Sequence, residues 1–188
     1  MTLKNVASFF LLIFSAFCGY YIFINIDWNK EQQVELSAER PLFTSRGIET
    51  TSYDQAGLRN YQLYSKYLEH FTSNDETHFD APLLHTFKEG SIKEWRISSD
   101  EALLVSKHIL VMTGNVEIHN LLPNAQLKTI TTDRITLDLN SRDFWTDTEI
   151  HITGANFTTQ GKSAKGNFDT QYMELMEQVK TVYESDIN

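Results

Sequence analysis

The sequence contains little cysteine, little proline and few basic residues. Its 188 residues include one cysteine, Cys18, and three prolines. A single cysteine excludes an intramolecular disulfide as a source of stability. Lys and Arg number 16 against 25 Asp and Glu, which gives a formal net charge of -9. Because a nucleic-acid backbone is bound by a basic face, this balance argues against nucleic acid as a partner.

The sequence patterns of common enzyme and metal sites are also missing. The six histidines form no H-E-x-x-H motif, and there is no cysteine pair to hold zinc. No glycine-rich phosphate loop for ATP is found. Ser141, Asp143 and His151 lie close together in sequence, but G-x-S-x-G does not occur and a triad depends on spatial geometry. We therefore predict a protein that is not an enzyme and needs no metal or cofactor.

Long apolar runs are limited to the N-terminus. Residues 6–26, VASFFLLIFSAFCGYYIFINI, contain no charge. At about 1.5 Å per residue, a helix of this length matches a hydrocarbon core of about 30 Å. The run is longer than the apolar region of a signal peptide, and no small-x-small cleavage site follows it. We predict a transmembrane helix at 6–26 after a tail at 1–5. Phe17 occupies the place where a small residue would precede a lipid-modified cysteine, so we expect Cys18 to pack as a small apolar residue.

The flanking charges indicate an orientation for this helix. Lys4 and the amino terminus precede it, whereas Asp27, Lys30 and Glu31 follow. Because basic residues favour the cytoplasmic side, we predict an N-in, C-out, single-pass protein. A polar connector at 27–40 then leads to a folded domain at 41–188. In a Gram-negative cell this domain would lie in the periplasm.

The folded part has the residue alternation of β-strands. Ile135, Leu137 and Leu139 alternate with polar residues, so one face of this segment is apolar. Turn signals occur at 121–124, LLPN, and at 140–143, NSRD. We therefore predict an all-β domain, in which 131–154 is a hairpin region.

Two pairs of segments resemble each other within the chain. ISSDEALL at 97–104 resembles ITTDRITL at 130–137, and TGNVEI at 113–118 resembles TGANFT at 153–158. This weak repeat indicates one β-unit used more than once, as in sheets that stack into a sandwich or roll.

The C-terminal segment 170–184, TQYMELMEQVKTVYE, is ambiguous. Its apolar residues also recur with a helical period of 3.6, which favours a C-terminal helix when periodicity is considered alone. These residues are Tyr172, Leu175, Met176, Val179 and Tyr183.

A series of longer motifs follows the short tail and the single span in a definite order. They are YDQAGLRNYQLYSKYLEHF at 53–71, THFDAPLLHTF at 77–87, WRISSDEALL from Trp95, GNVEIHNLLPNAQLKTITTDRITLDL from Gly114, ITGANFTTQG at 152–161 and MELMEQVKTVYE at 173–184. In this order the chain resembles the LptC family of lipopolysaccharide export proteins over nearly its whole length. The most specific part is LLPNAQLKTITTD with the later Gly154, Phe157, Gly161 and Gly166.

The resemblance implies a fold and a function. The fold is an open, twisted, incompletely closed β-jellyroll like that of LptA, preceded by one transmembrane helix, and 172–183 is then a strand. The function is lipopolysaccharide transport from the inner to the outer membrane. Such proteins receive the lipid from an inner-membrane ABC transporter of LptB, LptF and LptG, hold its acyl chains in the groove and pass it to LptA at the C-terminal edge. The transmembrane helix would lie between LptF and LptG and temper the ATPase activity.

The resemblance also assigns residues. Ile48, Phe79, Met173 and Tyr183 match positions that face the lipid groove; the alternative is that they are ordinary core residues. The C-terminal edge strand, with Tyr172, Val179, Val182 and Glu184, is the candidate surface for LptA. Gly154 matches a glycine whose role would be either structural or a partner contact.

Two other classes of protein remain as alternatives. A membrane-anchored assembly module that binds only proteins predicts a filled core without a channel. An anchored hydrolase predicts convergent polar groups in a closed pocket.

Overall fold

The computed structural model describes residues 40–72 and 74–183. The predicted tail, transmembrane helix and nearly all of the connector lie outside these residues, as does Glu184. Within the described ranges, no helix is long and apolar enough to cross a membrane. These ranges form antiparallel β-strands, as the alternation of apolar residues predicts.

Within 40–72 and 74–183, fourteen strands form one continuous hydrogen-bonded sheet. In chain order they are β1 (Phe43–Tyr53), β2 (Arg59–Phe71), β3 (Glu76–Asp80), β4 (Leu83–Lys88), β5 (Ile92–Ser98), β6 (Glu101–Val105), β7 (Ile109–Asn120), β8 (Leu127–Asp138), β9 (Asp143–Thr146), β10 (Ile150–Gly154), β11 (Phe157–Gly161), β12 (Ser163–Asn167), β13 (Tyr172–Met176) and β14 (Lys180–Tyr183).

The sheet is divided into two layers because three long strands change partners along their length. β2 pairs with β4 up to Tyr64 and with β3 from Tyr67. β7 pairs with β6 in its first half and with β5 in its second half. β8 pairs first with β10 and then with β9. Layer one therefore contains β3, β6, β9, β12 and β13, and layer two contains β4, β5, β10, β11 and β14.

The places where the chain crosses between layers lie together along one side, which we call the spine. Successive crossings are joined by backbone hydrogen bonds, from Ala81 N–H to Asp100 C=O and from Asp100 N–H to Gly114 C=O. Buried hydroxyl groups satisfy carbonyls at the crossings, as buried polar groups must. They are Ser65 to Tyr67 O at 2.6 Å, Ser99 to Glu101 O at 2.7 Å, Thr132 to Glu149 O at 2.9 Å and Thr146 to Arg134 O at 2.6 Å.

One apolar core lies between the layers. It contains fully buried residues from both layers and from the long strands that connect them. Burial of this surface is the main favourable term for a domain without a disulfide. The most deeply buried members include Ile97, Leu110, Ile118, Ile130 and Ile135.

The side opposite the spine is formed by turns, and we call it the open side. Layer one contributes the turns at 106–108, 140–142 and 168–171, and layer two those at 54–58, 89–91, 121–126 and 155–156. Among the described residues, no strand ladder joins the two layers across this side. The roll is therefore held together by backbone pairing at the spine and by side chains at the open side.

The structure accounts for one of the two internal repeats. The segments 97–104 and 130–137 both cross the spine from layer two to layer one. In the second pair, 113–118 bends at the spine, whereas 153–158 holds the turn between β10 and β11 on the open side. The second similarity thus joins segments that are not structurally equivalent.

The C-terminal segment is extended, and the helix favoured by its periodicity is wrong. The single strand at 172–183 implied by the family resemblance also needs correction. β13 pairs with β12 in layer one, and β14 pairs with β11 in layer two. Glu177 and Gln178 have positive φ values of 60° and 50°, which turns the chain between the layers. The helix-like period arises because apolar residues of two strands are read as one element.

The region 131–154 is likewise more than one hairpin. It contains the end of β8, then β9, then β10. β9 pairs with the second half of β8, and β10 returns to pair with the first half. The region therefore supplies strands to both layers.

Candidate lipid groove and strand edges

A cavity of about 480 Å³ lies between the two layers at the open side. Layer two supplies Trp95 and the turn between β7 and β8, and layer one supplies Phe144, Phe168 and Met173. The lining also includes Asn120, Leu122, Pro123, Asn124, Ala125, Gln126, Leu127, Asn167, Gln171 and Tyr172.

The cavity combines an aromatic wall with a rim of uncharged amides. The Phe168 ring lies 4.5 Å from the Phe144 ring and 5.0 Å from the Trp95 ring, measured between centroids. The amide side chains are those of Asn120, Asn124, Gln126, Asn167 and Gln171, and none of the residues lining this described cavity carries a charge. Such a surface accepts an apolar chain without desolvating an ion.

The four residues assigned to the groove lie at different places in the strand order. Met173 is half-buried and lines the cavity. Phe79 is 7% exposed and lies in the core on β3, where Leu68 and Ala102 face it on the neighbouring strands. Ile48 is half-buried on β1, and Tyr183 is 75% exposed on β14. The structure therefore places Met173 at the uncharged cavity and Phe79 among the buried core residues, where β3 also borders a second cavity of about 520 Å³.

The C-terminal strands offer backbone edges. Among the described residues, β13 pairs only with β12 and β14 only with β11. All four residues of β14 are exposed. Tyr172, Val179 and Val182 are each more than half exposed. An edge with unpaired N–H and C=O groups is a template for a strand of another protein. β1 is a further edge at the other end of the strand order, since in the described chain it pairs only with β2.

Gly154 connects the cavity side of the roll with the β14 edge. It ends β10 at a register shift, opposite Leu127. A Cβ atom at this position would overlap the ring of Phe157. The Phe157 ring in turn lies 6.3 Å from the Tyr183 ring. The structure thus places Gly154 directly against the Phe157 ring, which lies beside β14.

The polar residues considered for catalysis form turn contacts. Ser141 Oγ donates to Asp143 Oδ2 at 2.7 Å, and Asn167 Nδ2 donates to Asp143 Oδ1 at 2.7 Å. These bonds, Asn167 first and then Ser141, hold the pKa of Asp143 below its ordinary value. His151 lies on β10 in layer two, 3.6 Å from Glu149. Ser141 therefore donates to a carboxylate and not to the imidazole. No cluster of three metal-ligating side chains occurs within 40–72 and 74–183.

Sequence reasoning missed a set of contacts across the open side. Arg142 belongs to the turn signal NSRD, but its guanidinium contacts Asn60 and Asp169. These partners lie far from Arg142 in sequence, so no local pattern indicates them.

Comparison with known proteins decides the family. A family model described as lipopolysaccharide-assembly, LptC-related, matches residues 9–184. The chain belongs to this LptC family. The prediction made from the ordered motifs is thereby confirmed.

Two relatives illustrate the extent of the likeness. The lipopolysaccharide export system protein LptC of Escherichia coli K12 is 30% identical over 152 residues, covering 81% of this chain and 80% of its own. The protein of the same name from Haemophilus influenzae is 30% identical over 188 residues, covering 90% of each chain.

A solved structure supports the fold. The crystal structure of LptH from Pseudomonas aeruginosa, described as the LptA homologous periplasmic component of the lipopolysaccharide transport device, has a TM-score of 0.52 to this chain. The match covers 66% of this chain and 95% of LptH at 6% sequence identity. The predicted all-β, LptA-like, jellyroll-type fold is thus confirmed for the described domain.

Proposed function

We propose that this LptC-family chain is a component of lipopolysaccharide transport that holds the acyl chains of the lipid between its two layers. The observation that carries the proposal is the uncharged, aromatic-walled cavity at the open side, beside Met173. Family membership supports it, since the relatives are named as lipopolysaccharide export proteins.

The physical need for such a cavity follows from the lipid. Each CH₂ group exposed to water costs about 0.8 kcal/mol, so an acyl chain of about a dozen carbons costs on the order of 10 kcal/mol. A lipid with several chains cannot cross an aqueous space unaided. A roll with an open side can shelter the chains while the sugars remain in water.

The predicted membrane anchor is at the N-terminus of the chain and the edge strands are at its C-terminus, which supports a direction of lipid transfer. The apolar segment 6–26 anchors the chain in the inner membrane with its domain in the periplasm, next to an ABC transporter of LptB, LptF and LptG. The exposed edges of β13 and β14 receive LptA, so that two rolls form one continuous groove. Tyr172, Val179, Val182 and Glu184 belong to this docking surface. Ile48, Phe79, Met173 and Tyr183 mark the path of the lipid.

One observation favours a second candidate. Phe79 is 7% exposed and belongs to the buried apolar core, and protein interiors are usually close-packed. A filled interior is what an assembly module that binds only proteins would have. In the transport proposal the layers must part to admit the lipid at this point.

Photocrosslinking in cells tests the two candidates. A photoreactive residue placed at Phe79 or Met173 is expected to form adducts with lipopolysaccharide, and the yield should rise with ATP in membranes reconstituted with the transporter. The exposed Lys88 at the end of β4 serves as the control site and should form none. Absence of lipid adducts at both groove positions, with protein adducts still forming at Tyr183, would contradict the transport proposal and leave the assembly module.

A further inference from the structure

The open side is bridged near its middle by a group of side chains that we call the latch. It consists of Arg142, Phe168 and Asp169 from layer one, together with Asn60, Phe87 and Trp95 from layer two. Along the hydrogen-bonded sheet, β9 and β2 are separated by β8, β7, β5 and β4. Contacts between these turns and strands are therefore made across the interior of the roll and not along a ladder.

Arg142 supplies the polar part of the latch. Its Nε and Nη2 donate to Asn60 Oδ1 at 3.1 and 2.7 Å, and Nη2 also donates to Phe87 O at 3.0 Å. Nη1 lies 2.9 Å from Asp169 Oδ1. The arginine side chain is 18% exposed, so its bonds to Asn60 and Phe87 O are partly shielded from water, whereas the Asp169 side chain is 67% exposed. A planar guanidinium holds five N–H donors on three nitrogens in a fixed fork, whereas an ammonium group has three donors on a single nitrogen and cannot reproduce that fork.

Phe168 supplies the apolar part. It lies in the turn between β12 and β13, and turn residues are normally exposed. Its neighbours Asp169, Thr170 and Gln171 are exposed, but Phe168 is 3% exposed. Its N–H donates to Arg142 O at 3.0 Å, and its C=O accepts from Trp95 Nε1 at 3.4 Å. The turn is thus held with its aromatic ring pointing between the layers.

Phe168 lines two cavities. One is the cavity that Met173 also lines, and the other is a small cavity of about 20 Å³ bounded by Tyr61, Leu84 and Leu139. Both spaces lie between layer one and layer two. Phe168 is the one residue that the linings of these two cavities share, so an apolar chain that fills both contacts or displaces its ring.

We propose that the latch is a gate whose Phe168 ring occupies the path of an acyl chain and is displaced when lipid loads. This inference rests on the proposed function and adds how the same interior is regulated. With the latch shut, the empty roll hides its aromatic surface from water. Loading replaces the ring by an acyl chain of similar polarity, and it releases the turn at 167–171 toward solvent.

Hydrogen exchange of the full chain in nanodiscs, with and without added lipopolysaccharide, tests the gate. Lipid is expected to speed exchange in the peptide covering 167–171 at least about fivefold, because local opening exposes the Phe168 N–H. Exchange at the spine, in the peptide around Ser99, should stay unchanged. Unchanged or slower exchange at 167–171, in a sample that forms lipid adducts at Met173, would overturn the gate and leave the transport proposal standing. Absence of any lipid adduct would overturn both.

A matched pair of substitutions tests the role of Arg142. Arg142→Lys keeps the charge but loses the fork to Asn60 and Phe87 O, so exchange at 167–171 without lipid should rise at least about threefold. Lipid adducts at Met173 should increase as well. Lys165→Gln removes an exposed ion pair of 3.2 Å with Glu174 between β12 and β13, and it should change neither readout. Equal exchange for Arg142→Lys and Lys165→Gln would overturn the assignment of Arg142 to the gate.

Discussion

Val182→Pro is expected to lower the affinity of the chain for an LptA roll by at least about tenfold, equivalent to about 1.4 kcal/mol. Val182 is the third residue of β14 and faces Thr158 on β11. Successive N–H groups of an edge strand point alternately to the paired neighbour and to the free side. Proline removes the N–H whichever way it points, so it weakens either the pairing of β14 or the edge offered to the partner. Binding of purified LptA to the full chain in nanodiscs measures the effect.

Val182→Thr is the control for this prediction. Threonine is β-branched and keeps its N–H, so the edge and its affinity should be retained. Because Val182 is half exposed, Val182→Thr should leave the unfolding temperature of the domain unchanged, and any loss of pairing in Val182→Pro should be confined to the four residues of β14. Unaltered binding by Val182→Pro would show that β14 is not the docking edge.

Gly166→Ala is expected to destabilise the domain by about 1–3 kcal/mol. Gly166 is buried on β12, where Phe144 and Met173 face it on the two neighbouring strands. An added Cβ would overlap the carbonyl oxygen of Tyr172 and would lie 2.7 Å from Phe144 Cζ. The first is backbone of β13, and the second belongs to a ring that is 2% exposed and stacked on Phe168. Neither can move without displacing β13 or the cavity wall.

Gly154→Ala provides the comparison. Its added Cβ would also overlap an aromatic ring, that of Phe157. This ring is half-buried at the open side and can turn outward, so a smaller loss of less than about 1 kcal/mol is expected. Thermal unfolding of both variants, followed by circular dichroism, should give the lower melting temperature for Gly166→Ala. The reverse order would show that the β12–β13 pairing is looser than the structure indicates.

The sequence was most informative where apolar alternation is regular. Ile135 and Leu137 are buried on β8, as their period of two predicts, and the turn signal at 140–143 lies between β8 and β9. Periodicity failed at 172–183 because an apolar residue of a short strand and one of the next strand can be spaced like successive turns of a helix. The alternation of apolar residues along β8 also gives no sign that this strand changes partners at the spine. The alternation continues through the crossing because both layers share one core.

The candidate site was predictable only in part. Met173 was found through family resemblance, and the structure places it at the cavity. Arg142 and Phe168 could not be found, because their partners Asn60 and Trp95 meet them only after both layers have formed. The distinction between groove and core at Phe79 likewise depends on tertiary packing and not on the local pattern.

We propose that the acyl chains lie between the layers and that the sugars lie outside. Labelling the lipid at each of these parts shows where each one is held. Lipopolysaccharide with a photoreactive diazirine in an acyl chain should mark Trp95, Phe144 and Met173, which line the cavity. The same group placed on a sugar should mark the rim at Asn124 and Gln126. Mass spectrometry of the full chain after illumination in membranes with the active transporter would locate each adduct.

Exposed apolar residues on the outer faces of the roll serve as the negative control for this labelling. Tyr64 and Trp145 are each 45% exposed, and neither lines the cavity. If acyl chains lie between the layers, the acyl-labelled lipid should leave both of them unmarked while it marks the cavity wall. Acyl-chain adducts at Tyr64 or Trp145, with none at Trp95, Phe144 or Met173, would contradict the placement of acyl chains between the layers.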